Sequence, residues 1–75
     1  MTNFRNLKIA INEQQPLDEV VRELESKGYK KINWFGFDNT VFILTYGNNG
    51  WFSDYSKDVE DYRYKLTTLA ELKEM

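Results

Sequence analysis

Thr40-Val41-Phe42-Ile43-Leu44-Thr45-Tyr46, then Gly47-Asn48-Asn49-Gly50, then Trp51-Phe52-Ser53-Asp54-Tyr55: this stretch decides the fold. β-Branched and aromatic residues fill both arms, and four turn formers separate them. The pattern predicts a β-hairpin. Immediately upstream, Lys30 to Phe37 has the same composition, and Asp38-Asn39 tolerates the left-handed dihedrals of a tight turn. The reading is therefore an antiparallel meander with Phe35 opposite Phe42 and Trp34 opposite Ile43. Opposed residues share a sheet face. One face then holds Ile32, Trp34, Val41, Ile43 and Phe52. The other holds Phe35, Phe37, Phe42, Leu44, Tyr46, Trp51 and Tyr55. A sheet with one wet face alternates apolar and polar residues; here both faces are apolar, so both require cover.

Working outward, Leu7, Ile9 and Ile11 alternate with Lys8, Ala10 and Asn12, which predicts a half-buried strand. Pro16 suits a helix start, and Asp18 and Glu19 suit its first turn. Leu17, Val20, Val21 and Leu24 form one apolar stripe, and Gly28 ends it. Downstream, Tyr62, Tyr64 and Leu66 alternate with Arg63 and Lys65 as a further strand. Thr68 with Glu71 forms a capping box for a short helix carrying Leu69, Leu72 and Met75. The expected fold is one α+β domain spanning 1–75. It is an antiparallel β-meander of four to five strands, with one amphipathic helix packed on it and a short C-terminal helix, in the order β-α-β-β-β-β-α. The final helix is expected to shield part of the aromatic second face.

Composition excludes several functions. The chain has 75 residues with no Cys and no His. It therefore has no disulfide, no thiol or imidazole nucleophile–base pair, and little with which to bind zinc. No cofactor, metal or catalytic residue is expected, and the chain is not expected to be an enzyme. The acidic residues Asp54, Asp58, Glu60 and Asp61 lack the spacing of a calcium loop and enclose Lys57, so they are read as a solvated loop. Lys27, Lys30 and Lys31 could touch a phosphate, but are read first as helix-end lysines that complement the dipole. Gly47 to Gly50 lacks the Lys-Ser/Thr and the helix of a phosphate loop. With 10 basic and 12 acidic residues, there is little electrostatic drive toward nucleic acid. No apolar run approaches membrane-spanning length and no signal peptide is visible, so a cytoplasmic protein is expected.

The segment Pro16-Leu17-Asp18-Glu19-Val20-Val21 to Gly28-Tyr29 and the ending Thr67-Thr68-Leu69-Ala70-Glu71-Leu72-Lys73-Glu74-Met75 resemble the small accessory proteins encoded by tailed bacteriophages. The resemblance implies host takeover or counter-defence by stoichiometric binding, in the host bacterial cytoplasm. The expected contact surface is the second face, with Phe35, Phe37, Phe42, Tyr46, Trp51 and Tyr55. It would serve a host protein, a small nucleotide, or a second copy of the chain, with a homo-oligomer seam near Phe42 and Trp51. Two alternatives stand beside this. One is an assembly subunit whose aromatic face is only a seam. The other is a small nucleotide or single-stranded nucleic-acid binder using Tyr62 and Tyr64 beside Arg63 and Lys65.

Overall fold

The computed structural model describes residues 4–32, 34, 36, 39–58 and 60–75. Among them the chain forms β1 (Leu7–Ala10), α1 (Leu17–Ser26), β2 (Lys30–Lys31), β3 (Phe42–Tyr46), β4 (Trp51–Tyr55), β5 (Lys65–Thr67) and α2 (Leu69–Glu74). The fold is α+β. The strands make one sheet in the order β2-β4-β3-β1-β5. The sheet is mixed: β3 runs antiparallel to β1 and β4, whereas β1–β5 and β2–β4 are parallel pairs.

The turn at Gly47 to Gly50 joins β3 and β4 as expected, with Tyr46 opposite Trp51 and Phe42 opposite Tyr55. The expected pairing of Trp34 with Ile43 and of Phe35 with Phe42 does not form. Both sides of β3 are taken, by β4 on one and β1 on the other, and Ile43 lies opposite Ile9 and Asp54. Gly36, between β2 and β3, instead lies beside β4, where its N–H donates to Asp54 Oδ2 at 2.8 Å. Asp54 is thus a buried residue of β4 and not part of a solvated loop. Phe35, Phe37 and the Asp38 half of the expected turn lie outside the described residues. The strand expected over Tyr62 to Leu66 begins only at Lys65.

Helix α1 forms where its local signals put it. Pro16 stands at the N-cap, Val20 and Leu24 are buried, and Gly28 takes a φ of 95° just beyond the C-terminus. Its stripe packs on Leu7, Ile9, Ile43 and Phe52. Helix α2 lies on this same face and not on the second one. Leu69 and Leu72 join Val20 and Leu24 in one core, because β5 sits beside β1 and delivers α2 next to α1. Both edge strands, β2 and β5, are short and carry lysine, which discourages strand addition from another chain.

The chain crosses the sheet twice between parallel strands. From β1 to β2 it travels one way, through α1; from β4 to β5 it travels the other way. Such crossovers are right-handed, so two that run in opposite senses lie on opposite faces. The contacts agree. Asp58 in the β4–β5 connection pairs with Lys8, and Tyr64 meets the Tyr46 ring edge-on with centroids 6.2 Å apart. Lys8 and Tyr46 both belong to the face that α1 and α2 leave uncovered. No helix among the described residues is long and apolar enough to cross a membrane.

Candidate functional site

Alternation along β3 and β4 places Phe42, Leu44 and Tyr46 on the second face, together with Trp51, Ser53 and Tyr55. Four of the expected surface residues, Phe42, Tyr46, Trp51 and Tyr55, are thus brought together. Their environments differ. The Lys8 ammonium covers the Phe42 ring, 4.6 Å from its centroid. Tyr46 and Tyr55 stand on neighbouring strands at opposite ends of this face, four register pairs apart. Four residues of strand span about 13–14 Å, within reach of two tyrosine side chains laid end to end. Their hydroxyls meet in a hydrogen bond. The pair forms an arch over Leu44 and Ser53, which retain only 3% and 5% of their exposure without any helix above them. Burial, then the hydrogen bond to Tyr46, raises the Tyr55 phenol above the ordinary tyrosine range; the charges of Tyr46, Tyr64 and Asp54 act in the same direction. Burial also raises Tyr64.

Beside the arch lies a shallow depression of about 340 Å³. Its origin is a size step along β4. Ser53 is small and stands between the larger Trp51 and Tyr55 on the same face, so the surface dips there although Ser53 itself is nearly covered. Ile32 closes one side, and its carbonyl accepts from Ser53 Oγ at 2.7 Å. Asn48 and Asn49 of the turn form the far wall. Asn49 Oδ1 accepts from the Trp51 N–H at 3.1 Å, which fixes its amide and leaves the NH2 end to donate elsewhere. Trp51 is 40% exposed, whereas Phe52 beside it in sequence is fully buried. Among the described residues, the lining carries no charged side chain. Lys30, the register partner of Trp51 across the parallel pair, shares this face with it.

The expected lysine cluster divides. Lys27 pairs with Glu23 at 3.3 Å. Lys31 lies over the Trp34 ring on the helix side, 4.8 Å from its centroid. Lys30 projects to the opposite face. The alternative strand of Tyr62, Arg63, Tyr64 and Lys65 is likewise divided, since Arg63 is held by Asp61 at 2.8 Å and Tyr64 is committed to Tyr46. Asp61 is in turn lowered by its hydrogen bonds from Arg63. Among the described residues no group of three or more His, Cys, Asp or Glu side chains could hold a metal ion. Ile32 was expected on the other face with Trp34 and Ile43, Lys30 at the helix end and Tyr64 in a strand. Instead Ile32 lines the depression with Ser53, Lys30 shares the face of Trp51 and Tyr64 packs on Tyr46. The roles of Lys8 and Ser53 were not foreseen. The Trp-Phe-Ser-Asp-Tyr size step was the one signal that could have revealed the depression.

The described residues thus define a small α+β domain with a mixed sheet, one helix-covered face and one tyrosine-arched face. No protein family, curated protein or solved structure matches the chain.

Proposed function

We propose that the chain is a non-enzymatic binding protein that captures its target at the Trp51 end of the arched sheet face. The observation that carries this is the contrast between Trp51 and its surroundings. Tyr46 and Tyr55 tie each other down and Phe52 and Tyr29 are buried, yet Trp51 stands 40% exposed beside a polar-walled depression. Tryptophan is a frequent anchor of binding surfaces because one residue combines large apolar area with few rotatable bonds. The lack of His and Cys leaves acid–base or nucleophilic work to carboxylates, Lys and Tyr. The buried carboxylate Asp54 is spent on the Gly36 N–H, on the other side of the sheet from the depression. Inhibition or sequestration of a host factor, as the phage resemblance implies, is the form of binding proposed, with the protein acting in stoichiometric amounts.

The test is native mass spectrometry of the protein purified from its natural host background, beside Trp51→Ala. A bound species retained by the parent chain and lost from the variant, with the fold intact by circular dichroism, is the expected result. Equal retention by both chains sinks the assignment of the site.

A further inference from the structure

The arched face has the chemistry to select a class of ligand, and this inference rests on the proposed binding role of that face. The depression offers one exposed ring, Trp51, on which a flat group stacks. Beside it are hydrogen-bonding groups with open capacity. The Tyr46–Tyr55 pair has two hydroxyl protons and uses one within the pair, so the other remains to donate. The Asn49 amide nitrogen is free to donate because its oxygen is held by the Trp51 N–H. Asn48 carries both a donor and an acceptor at the rim. This mixture of donors and an acceptor around a stacking ring fits the edge of a nucleobase.

Charge distinguishes further. Among the described residues, no acidic side chain lines the depression. Among the described residues, Lys30 has no ion pair and shares the face with Trp51 as its register partner. Its parity is fixed by its neighbours: Tyr29 is buried in the core, and Lys31 turns to Trp34 on the helix side. An otherwise uncharged site with one ammonium beside its stacking ring favours a ligand with a flat heterocycle and a single anionic group. We infer that the Trp51 depression is a mononucleotide site, with the base stacked on Trp51 and the phosphate toward Lys30. The chain as a whole is acidic, which sets a long nucleic-acid strand at a disadvantage while leaving a single phosphate acceptable. Neutral sugars also stack on tryptophan, but they make no use of Lys30.

Isothermal titration of the full chain decides this, using the four nucleoside 5′-monophosphates, the four parent nucleosides, inorganic phosphate and glucose as separate titrants. At least one monophosphate is expected to bind, its nucleoside several-fold more weakly, and phosphate and glucose not measurably. Trp51→Ala is expected to weaken the monophosphate at least about fivefold, the lower end for a lost base stack. Lys30→Ala is expected to bring the monophosphate down to the affinity of its nucleoside while leaving the nucleoside unchanged. Glucose binding without nucleoside binding overturns the inference, as does monophosphate binding indifferent to Trp51→Ala. Silence of every nucleotide also overturns it. If a host species is nonetheless retained through Trp51 in native mass spectrometry, the binding role survives and only the ligand class fails.

Discussion

Thr45 has no exposed surface, yet it carries a hydroxyl on the helix side of β3. That hydroxyl donates to the Arg5 carbonyl at 2.5 Å and accepts from the Leu7 N–H at 2.9 Å. It thereby satisfies the backbone where the chain enters β1. Thr45→Val keeps the shape and orphans both backbone groups, so a loss of about 1–3 kcal/mol is expected. Thermal unfolding by circular dichroism reads this as a fall in Tm of about 4–8 °C per kcal/mol in a domain of this size. The Tyr46–Tyr55 arch makes a different forecast, in pH. The folded Tyr55 phenol lies above the ordinary tyrosine value, chiefly through burial and the Tyr46 bond. In alkali the unfolded chain therefore gives up its proton first, and stability falls as pH rises above about 10. Below that the contribution is complete. Tyr55→Phe is expected to flatten this alkaline limb in denaturant titrations run at successive pH values. Part of the slope remains through Tyr64, whose phenol is also raised. An unchanged limb would mean that Tyr55 ionises alike in both states. At this scale the sequence was partly legible. Parity along the β3–β4 hairpin was enough to place Tyr46, Trp51 and Tyr55 on one face. The Thr45 bonds and the Lys8 cover over Phe42 join residues far apart in the chain, so no local pattern announced them.

Helices α1 and α2 show why some elements can be read from sequence and others cannot. Each carries its own start signal: Pro16 for one, the Thr68–Glu71 box for the other. Apolar periodicity and a stop at Gly28 complete α1 within a dozen residues. Strand neighbours are a different matter. Alternation states which face a residue occupies but not which strand lies beside it, and β1 took the place beside β3 that the nearer aromatic segment was expected to fill. Helix α2 is only six residues long, too short to persist unaided. It rests on its cap and on the burial of Leu69 and Leu72. In the cap, Thr68 Oγ1 accepts from the Glu71 N–H at 3.1 Å and Glu71 Oε1 accepts from the Thr68 N–H at 3.2 Å. Thr68→Ala is expected to cost about 1 kcal/mol, and Leu72→Ala about 2–5 kcal/mol. Amide hydrogen exchange checks the pair. Thr68→Ala should release the α2 amides while β3 keeps its protection, whereas Leu72→Ala should lower both. Uniform loss in both variants would mean that α2 unfolds only with the whole domain.

The whole molecule solves the two-faced sheet with two crossovers, one helical and one not. Neither the sense nor the face of the second could be read from its residues, because it depends on β5 lying beside β1. With a bare second face, self-association was the natural expectation, with Phe42 and Trp51 near the seam. The β4–β5 connection removes much of that motive. Asp58 pairs with Lys8, Lys8 lies over Phe42, and Tyr64 closes on Tyr46. Among the described strand residues, the large apolar side chains that stay exposed on this face are then well separated. Trp51 is on β4 and Leu66 on β5, three strands apart, or about 14 Å at the usual strand spacing. A seam that uses Phe42 must first displace Lys8. The Lys8–Asp58 pair is part-exposed and contributes little by itself; its effect lies in what it keeps covered. The full chain is therefore expected to sediment as a monomer at micromolar concentration. Lys8→Ala removes both the tie to Asp58 and the cover of Phe42. It should raise the apparent mass with increasing concentration and increase the binding of an apolar dye. Asp58→Ala, which leaves Lys8 over the ring, should do so less. A Lys8→Ala chain that stays monomeric and dye-silent would show that the connection does not shield this face, and a dimeric parent chain would restore the seam at Trp51.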